Sequence, residues 1–330
     1  MSIPALRRVL VTGATGFVGK ALINRLAREL PPGRLRAAAR RPEHGDGMIE
    51  WVTVPDLGPE TDWSAALEGV ETVVHLAARV HVLRERYDPD DQQLLCDYRR
   101  VNALGTARLA EQAALAGVRR MLLVSTVKVL GESTAPGRPF GPDDSPAPVD
   151  PYAISKYQGE QALQAVAARS GMEWVILRPP LVYGPGVGAN FARLWQAVAR
   201  GLPLPLGRFD HNARSLVSVD NLVDLLVTCL HHPGAAGRAW LLHDGVPVST
   251  AALVRAMARA QGRPARLVPV PRRMLAFAAR LTGRQAAFDR LAGDLVVDDT
   301  WTREALDWTP PQTMLQALAQ MARPDADMGD

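Results

Sequence analysis

The sequence predicts an α/β fold with a doubly wound parallel sheet and a smaller C-terminal lobe. Three observations support this prediction. Short apolar strands alternate with helical patterns as far as residue 177, a glycine-rich loop follows the first strand, and a stretch rich in Pro and Gly begins after Arg178. Strands that alternate with helices at this pitch form parallel sheets. A chain of 330 residues has room for one large core or two domains.

Composition narrows the class of protein. Apolar residues make up 47% of the chain and charged residues 22%, as in folded globular proteins. The net charge of +4 is small for this length, so it favours anionic small molecules and does not indicate nucleic acid. Cys96 and Cys229 lie in no metal-ligand spacing, so neither a zinc site nor a disulfide scaffold is expected. With no signal peptide and no membrane-length apolar run, we expect a cytoplasmic protein without a membrane partner.

The glycine loop indicates a dinucleotide site. The apolar strand Val9–Val11 leads into Thr12-Gly13-Ala14-Thr15-Gly16-Phe17-Val18-Gly19, and residues 20–30 have helical periodicity. Glycines in this context allow a tight turn and close approach of a pyrophosphate to the helix N-terminus. A turn that merely needs glycine is the alternative. The flanking strand and helix favour the cofactor, and therefore a Rossmann-type sheet.

The end of the second strand bears on which cofactor binds. Strand 36–39 is followed by Arg40-Arg41. An acidic residue at this place binds the ribose of NAD, whereas arginine suits the 2′-phosphate of NADP. We therefore favour NADP over NAD, and both stay open.

The remaining elements complete the predicted sheet and lobe. Further strands are predicted at 49–54, 71–76, 120–125 and 173–177, and helices at 63–67, 92–115 and 152–168. Residues 80–91 are predicted to form a loop over the site. Helices at 190–200, 250–260, 272–281 and 314–321 follow, with a helix and a strand within 216–227 and 239–242. The predicted dinucleotide-binding domain is 1–180 with returning segments at about 216–244. The substrate-binding lobe is 181–215 and 245–330, with the cleft between them.

Tyr152 and Lys156 form the candidate catalytic pair. They are four residues apart at the start of a helical pattern, which places both side chains on one helix face. A nearby ammonium favours the phenolate and lowers its pKa, as a general acid and base requires. An ordinary amphipathic helix can have the same spacing, so the spacing alone does not indicate catalysis. The other motifs of the chain decide between the two interpretations.

The ordered set of motifs resembles one family. The motifs are Thr12-Gly13-x-x-Gly16-x-x-Gly19, Asp56-Leu57, His75-Leu76-Ala77-Ala78, Asn102, Ser125-Thr126, Tyr152-x-x-x-Lys156, Tyr183-Gly184-Pro185-Gly186 and Leu306-x-Trp308-x-Pro310. The chain looks like an extended short-chain dehydrogenase/reductase of the NAD-dependent epimerase/dehydratase family, which acts on nucleotide sugars. The resemblance covers nearly the whole chain.

The resemblance implies roles for individual residues. The implied cofactor residues are Gly13, Gly16, Phe17, Val18, Gly19, Asp56, Leu57, Leu76, Ala77, Ala78, Tyr152, Lys156, Pro179 and Leu181. The position after the second strand adds Arg40 to this set. The implied catalytic set is Thr126, Tyr152 and Lys156. The residues implied to bind the diphosphate of a UDP-sugar are Asn190, Arg214 and Arg290. A homodimer through the helices at 92–115 and 152–168 is also implied.

Departures from the family pattern guide the choice of reaction. The family's 4,6-dehydratases carry an acidic pair where this chain has Val127 and Lys128, which argues against dehydration. Leu130 and Leu181 replace a Tyr and an Asn of many epimerases. The missing Asn at 181, together with Arg40-Arg41, favours reduction over epimerisation. The runs 78–82 and 127–129 resemble a subgroup of bacterial surface-polysaccharide enzymes. This resemblance implies reduction at C4 of a UDP-4-keto-6-deoxy-N-acetylhexosamine, in surface polysaccharide (O-antigen) biosynthesis. A UDP-hexose 4-epimerase is the alternative, and a non-catalytic dinucleotide sensor is a more remote one. Whether Lys128 contacts the substrate stays open.

Overall fold

Seven parallel strands form the central sheet. The computed structural model describes residues 7–41, 47–80, 92–283 and 285–323. The strand order is β3-β2-β1-β4-β5-β6-β9, which confirms the doubly wound parallel sheet. The strands are β1 Val9–Thr12, β2 Leu35–Ala39, β3 Ile49–Thr53, β4 Thr72–His75, β5 Arg120–Val124, β6 Glu173–Leu177 and β9 Arg238–Trp240. Two more strands, β7 Leu181–Tyr183 and β8 Leu216–Ser218, pair with each other outside this sheet.

The helices lie close to the predicted positions, with two additions. They are α1 Phe17–Glu29, α2 Ser64–Leu67, α3 Gln92–Tyr98, α4 Gly105–Leu115, α5 Pro151–Ser170, α6 Ala189–Ala199, α7 Val219–His231, α8 Thr250–Ala260, α9 Arg272–Leu281, α10 Gln285–Ala292, α11 Thr300–Leu306 and α12 Met314–Met321. The sequence prediction missed α10 and α11. Of the predicted loop at 80–91, all but Val80 lies outside the described residues.

The predicted helix at 92–115 differs from the structure in its middle. A π-helical segment, Arg99–Leu104, separates α3 from α4. This wider turn contains Asn102 and packs against α5. Single π turns of this kind often occur at functional sites.

Apolar cores cover both faces of the sheet. Val9 and Val11 of β1 point into the core beneath α1 and α7, whereas Leu10 points into the opposite core with α4 and α5. Strands buried on both faces explain the continuous apolar runs in the sequence. A third core, around Phe191, Met257 and Leu318, joins α6, α8 and α12.

The topology places a crevice at one edge of the sheet. The order reverses between β1 and β4, which are neighbours in the sheet. Ligands of open α/β sheets bind outside the carboxyl ends of the strands at such a switch point.

Within the described part of the chain, no helix combines the length and apolar character needed to cross a bilayer.

Candidate functional site

The loop between β1 and α1 has the shape of a pyrophosphate cradle. Gly13 has a φ of +69°, and a Cβ added to it would lie 2.6 Å from the Ala77 nitrogen. A Cβ on Gly19 would lie 2.1 Å from the Gly13 carbonyl oxygen. Helix α1 begins at Phe17. Its N-cap residue is Gly16, so no side chain is bonded to the first backbone amides of the helix. The backbone therefore comes close to any group at the positive end of the helix dipole, where a dinucleotide pyrophosphate fits.

The other predicted cofactor residues follow the carboxyl ends of neighbouring strands. These are Arg40 after β2, Asp56 and Leu57 after β3, Leu76, Ala77 and Ala78 after β4, and Pro179 and Leu181 after β6. Because the strands are parallel, these residues share one edge of the sheet with the glycine loop. Arg40 is exposed.

His75 ties the glycine loop to the helix behind it. Its Nδ1 atom lies 2.7 Å from the Thr12 hydroxyl and its Nε2 atom 3.1 Å from the Thr106 hydroxyl. Burial lowers the pKa of His75 to about 3, and the charge of Lys156 adds to this effect. The imidazole is therefore neutral at physiological pH and serves as a bridge between two hydroxyls.

Asn102, in the π-helical turn, connects the loop after β4 to the helix of the candidate catalytic pair. Its side chain accepts from the Arg79 amide at 2.8 Å and donates to the Arg79 carbonyl and to Ser155 Oγ, each at 3.0 Å. Ser155 Oγ in turn donates to the Tyr152 carbonyl at 2.7 Å. The close approach depends on Gly159, where an added Cβ would lie 2.4 Å from the Asn102 carbonyl oxygen.

Helix α5 holds the candidate catalytic pair in its first turns. Asp150 caps the helix by accepting from the Ala153 amide at 2.6 Å, and Pro151 occupies the first helical position. This arrangement is a strong helix start. Lys156 is buried, and the ring of Tyr152 lies edge-on to that of Tyr98 with centroids 6.1 Å apart.

The pKa values of this pair differ in part from the expectation. Burial lowers the pKa of Lys156 to about 8, although Glu160 opposes the shift. Burial raises the pKa of Tyr152 above its usual range, and the charge of Asp150 raises it further. The expected lowering of the phenol pKa is therefore wrong for this arrangement, because burial and the charge of Asp150 both raise it.

Thr126 and Lys128 follow β5, beside the start of α5. Thr126 caps a short 3₁₀ turn, Val127–Val129, by accepting from the Lys128 amide at 3.3 Å. The Lys128 ammonium lies 2.5 Å from Asp150 Oδ2 and 3.0 Å from Glu132 Oε1. Burial raises the pKa of Glu132, whereas the charge of Lys128 lowers it. The structure therefore pairs the charge of Lys128 with two carboxylates of the protein.

Two of the three predicted substrate residues come together. Arg214 donates to the Arg290 carbonyl at 2.6 Å and to the Gly293 carbonyl at 3.1 Å. Burial lowers the pKa of Arg214. The Arg290 side chain is exposed near the end of α10. Asn190 is exposed at the start of α6.

Sequence reasoning missed the residues that support the site. Asp150 was detectable, because an Asp before a Pro at the start of a helical pattern is a capping signal. The contacts of Ser155 and Gly159 with the π turn had no sequence signal, because that turn was expected to be ordinary helix.

Comparison with known proteins identifies the family. The model of the NAD-dependent epimerase/dehydratase family matches residues 9–242. A UDP-glucose 4-epimerase of Vibrio cholerae is 43% identical over 317 residues, covering 96% of this chain and 95% of that protein. A UDP-glucose 4-epimerase of Mycolicibacterium smegmatis is 30% identical, covering 95% of this chain and 96% of that protein.

Solved structures agree with this assignment. The complex of MoeE5 with UDP-glucuronic acid and NAD has a TM-score of 0.73 and 27% identity, covering 96% of this chain and 97% of that one. The chain belongs to the NAD-dependent epimerase/dehydratase family and is an enzyme of that family. The predicted family and its nicotinamide dinucleotide are confirmed.

Proposed function

We propose that the chain is an NAD-dependent UDP-hexose 4-epimerase, which inverts the configuration at C4 of the sugar. The observation that carries this proposal is the 43% identity to a UDP-glucose 4-epimerase over nearly the full length of both chains. The sequence favoured 4-keto reduction and held epimerisation as the alternative, and the comparisons support the alternative better.

The glycine loop supports the cofactor part of the proposal. A Cβ on Gly13 or Gly19 would clash with neighbouring backbone atoms, and Gly16 leaves the N-terminus of α1 accessible. These three residues would hold the pyrophosphate, while Asp56 and Leu57 would lie beside the adenine. A bound NAD would supply the hydride acceptor for C4.

The protein's own residues handle the proton. Oxidation at C4 removes one hydride and one proton from the sugar, and reduction of the ketone on its other face returns both. We assign the proton transfer to the Tyr152 phenol and a hydrogen bond to the same oxygen to Thr126 Oγ. With a pKa of about 8, Lys156 is mostly charged at neutral pH, and its charge favours the transient phenolate.

Arg214 and Arg290 support a nucleotide diphosphate substrate. The Arg214 guanidinium is held by two backbone carbonyls near the end of α10, which fixes its position next to Arg290. A preorganised arginine of this kind suits phosphate oxygens. We assign both residues, with Asn190, to the diphosphate of a UDP-sugar.

The second candidate is 4-keto reduction with NADPH. Arg40 favours it, because an exposed arginine at the end of β2 suits the 2′-phosphate of NADP. The acids of a dehydratase are replaced by the buried Val127 and the paired Lys128, so dehydration has no support in either case. The homodimer, the cytoplasmic location and the role in surface polysaccharide synthesis stay proposals.

The test compares the two reactions directly. Purified protein is incubated with UDP-glucose or UDP-N-acetylglucosamine without added cofactor, and the C4 epimers are separated by chromatography. In parallel, NADPH absorbance is followed with a UDP-4-keto-6-deoxy-N-acetylhexosamine. We expect interconversion and no consumption of NADPH. Consumption of NADPH without interconversion would establish the reductase. If neither reaction were observed, the result would support the non-catalytic dinucleotide sensor.

A pair of variants tests the assigned acid and base. Tyr152→Phe removes the phenol and should abolish turnover while NAD binding is retained. Tyr157→Phe, on the same helix, is the matched control and should leave turnover unchanged. Turnover that survives in the first variant would show that another group transfers the proton.

A further inference from the structure

The charge of the chain is distributed unevenly. Residues 245–288 contain eight arginines and no Lys, Asp or Glu. The rest of the chain holds the other 30 basic residues and all 34 acidic residues, a net charge of −4. The positive charge of the protein therefore comes from one segment of the C-terminal lobe, and that segment can attract an anionic surface.

Most of these arginines face solvent. Six of them are exposed: Arg255, Arg259, Arg263, Arg266, Arg273 and Arg280. The segment itself contributes no acidic side chain that could neutralise their charge. This pattern differs from a typical solvated surface, where both signs are interspersed.

Helix α9, within this segment, points its larger apolar side chains outward. Met274, Phe277 and Leu281 are 63%, 64% and 73% exposed. Their spacing of three and four residues places them in one stripe along the helix. Arg273 and Arg280 lie seven residues apart on the adjacent stripe. We call Met274, Phe277 and Leu281 the outer stripe.

The orientation of α9 is fixed from its inner side. Leu275 packs against the third core, beside α6 and α8. Arg272 donates to the Ala292 carbonyl at 2.8 Å, and its guanidinium lies 5.3 Å from the centroid of the Phe209 ring. The outer stripe therefore faces solvent because the opposite side of the helix is packed.

We propose that the outer stripe and the arginines around it bind the surface of an anionic lipid bilayer. A helix of ten residues is too short to span a bilayer, so the contact is peripheral. Apolar side chains enter the boundary between headgroups and acyl chains, while the neighbouring arginines contact lipid phosphates. This differs from the expectation, drawn from apolar run lengths alone, that the protein has no membrane partner.

Charge and apolar character together favour a lipid bilayer over other binding partners of the outer stripe. A two-fold dimer formed through the outer stripe would bring two arginine-rich faces together, which like-charge repulsion disfavours. A nucleic acid would match the charge but would leave Met274, Phe277 and Leu281 without an apolar environment. An anionic bilayer offers both phosphates and an apolar layer to the same helix.

The test is co-sedimentation of the full chain with lipid vesicles. Vesicles of phosphatidylcholine with phosphatidylglycerol are compared with vesicles of phosphatidylcholine alone, at low and at high salt. We expect binding to the anionic vesicles about tenfold or more above the neutral ones, weakened by salt. The variant M274S/F277S/L281S should lose about tenfold or more in binding, and R273Q/R280Q should lose a similar factor. Leu115→Ser, at an 89% exposed position of α4, is the matched control and should bind like the wild type.

Several outcomes would overturn the proposal. One is that the wild type does not bind anionic vesicles, or that the stripe variant binds them as well as the wild type does. Another is that, without lipid, light scattering shows an oligomer for the wild type and a smaller species for the stripe variant, which would assign the stripe to a second copy. A third is that an oligonucleotide binds through the same arginines while vesicles do not. Thermal unfolding of each variant shows whether it is folded, so that loss of binding is not mistaken for loss of structure.

Discussion

The ammonium of Lys128 lies 2.5 Å from Oδ2 of Asp150, the residue that caps the helix carrying Tyr152. The same Asp150 accepts from the Ala153 amide, so Lys128 helps to fix the first turn of α5. A lysine therefore stabilises the helix start at a position where the family's dehydratases carry an acid. The pairing thereby helps to hold the helix in which Tyr152 and Lys156 lie.

Replacing Lys128 should destabilise the fold. Lys128→Met leaves Asp150 and Glu132 without their shared cation, and Asp150 is buried. Removing one partner of such a cluster should cost about 2 kcal/mol in the free energy of unfolding, less than for a fully buried pair. The control is Arg25→Met, which removes ion pairs with Glu29 and Asp224 at the surface and should cost less than about 1 kcal/mol. Chemical denaturation of both variants measures the difference, and equal losses would refute this role of Lys128.

Adding one methyl group at Gly159 should disturb the contact between α5 and the π turn. The new Cβ would lie 2.4 Å from the Asn102 carbonyl oxygen, a backbone atom that cannot rotate away. Gly159→Ala should therefore lower the free energy of unfolding by about 1–3 kcal/mol. Gly141→Ala is the control, because the nearest atom to its Cβ is 3.9 Å away. A Gly159→Ala variant as stable as Gly141→Ala would show that the helices separate without cost.

His75 should make the stability depend on pH. An unfolded histidine binds a proton near pH 6.5, whereas folded His75 does so only near pH 3. Between these values the unfolded state holds more protons. The contribution of His75 is therefore complete above pH 6.5 and falls with pH, by up to about 1.4 kcal/mol per unit. Comparing wild type with His75→Gln by denaturation from pH 7 to pH 4.5 isolates this contribution. A difference that does not change with pH would contradict the buried neutral imidazole.

Lys156 should impose an alkaline limit on turnover. Burial lowers its pKa to about 8, so the ammonium that favours the Tyr152 phenolate is lost above that pH. We expect kcat/KM of the wild type to fall above about pH 8. Lys156→Arg keeps its charge, so any activity it retains should not show this decline. The pH profiles of both proteins test the point, and a flat wild-type profile to pH 9.5 would argue against a role for the lysine charge.

The sequence predicted the parts of the fold that follow from local patterns. Buried strands, the glycine loop and the helix of Tyr152 each have a signal within about twenty residues, and the structure has all three. Features that depend on contacts between distant segments were not predictable. The π turn at Asn102 packs against α5, where Gly159 allows the close approach. The pairing of Lys128 with Asp150 joins positions 22 residues apart. The pKa of Tyr152 depends on burial, which the spacing to Lys156 does not reveal.

The most direct test of the proposed 4-epimerase follows the hydrogen at C4 of the sugar. UDP-glucose carrying deuterium at C4 is incubated with the purified protein in unlabelled water, and the UDP-galactose formed is analysed by NMR and mass spectrometry. An enzyme that removes and returns the same hydride must give UDP-galactose with the deuterium still at C4. UDP-galactose without deuterium at C4, or deuterium found in a released reduced nicotinamide, would contradict the proposal.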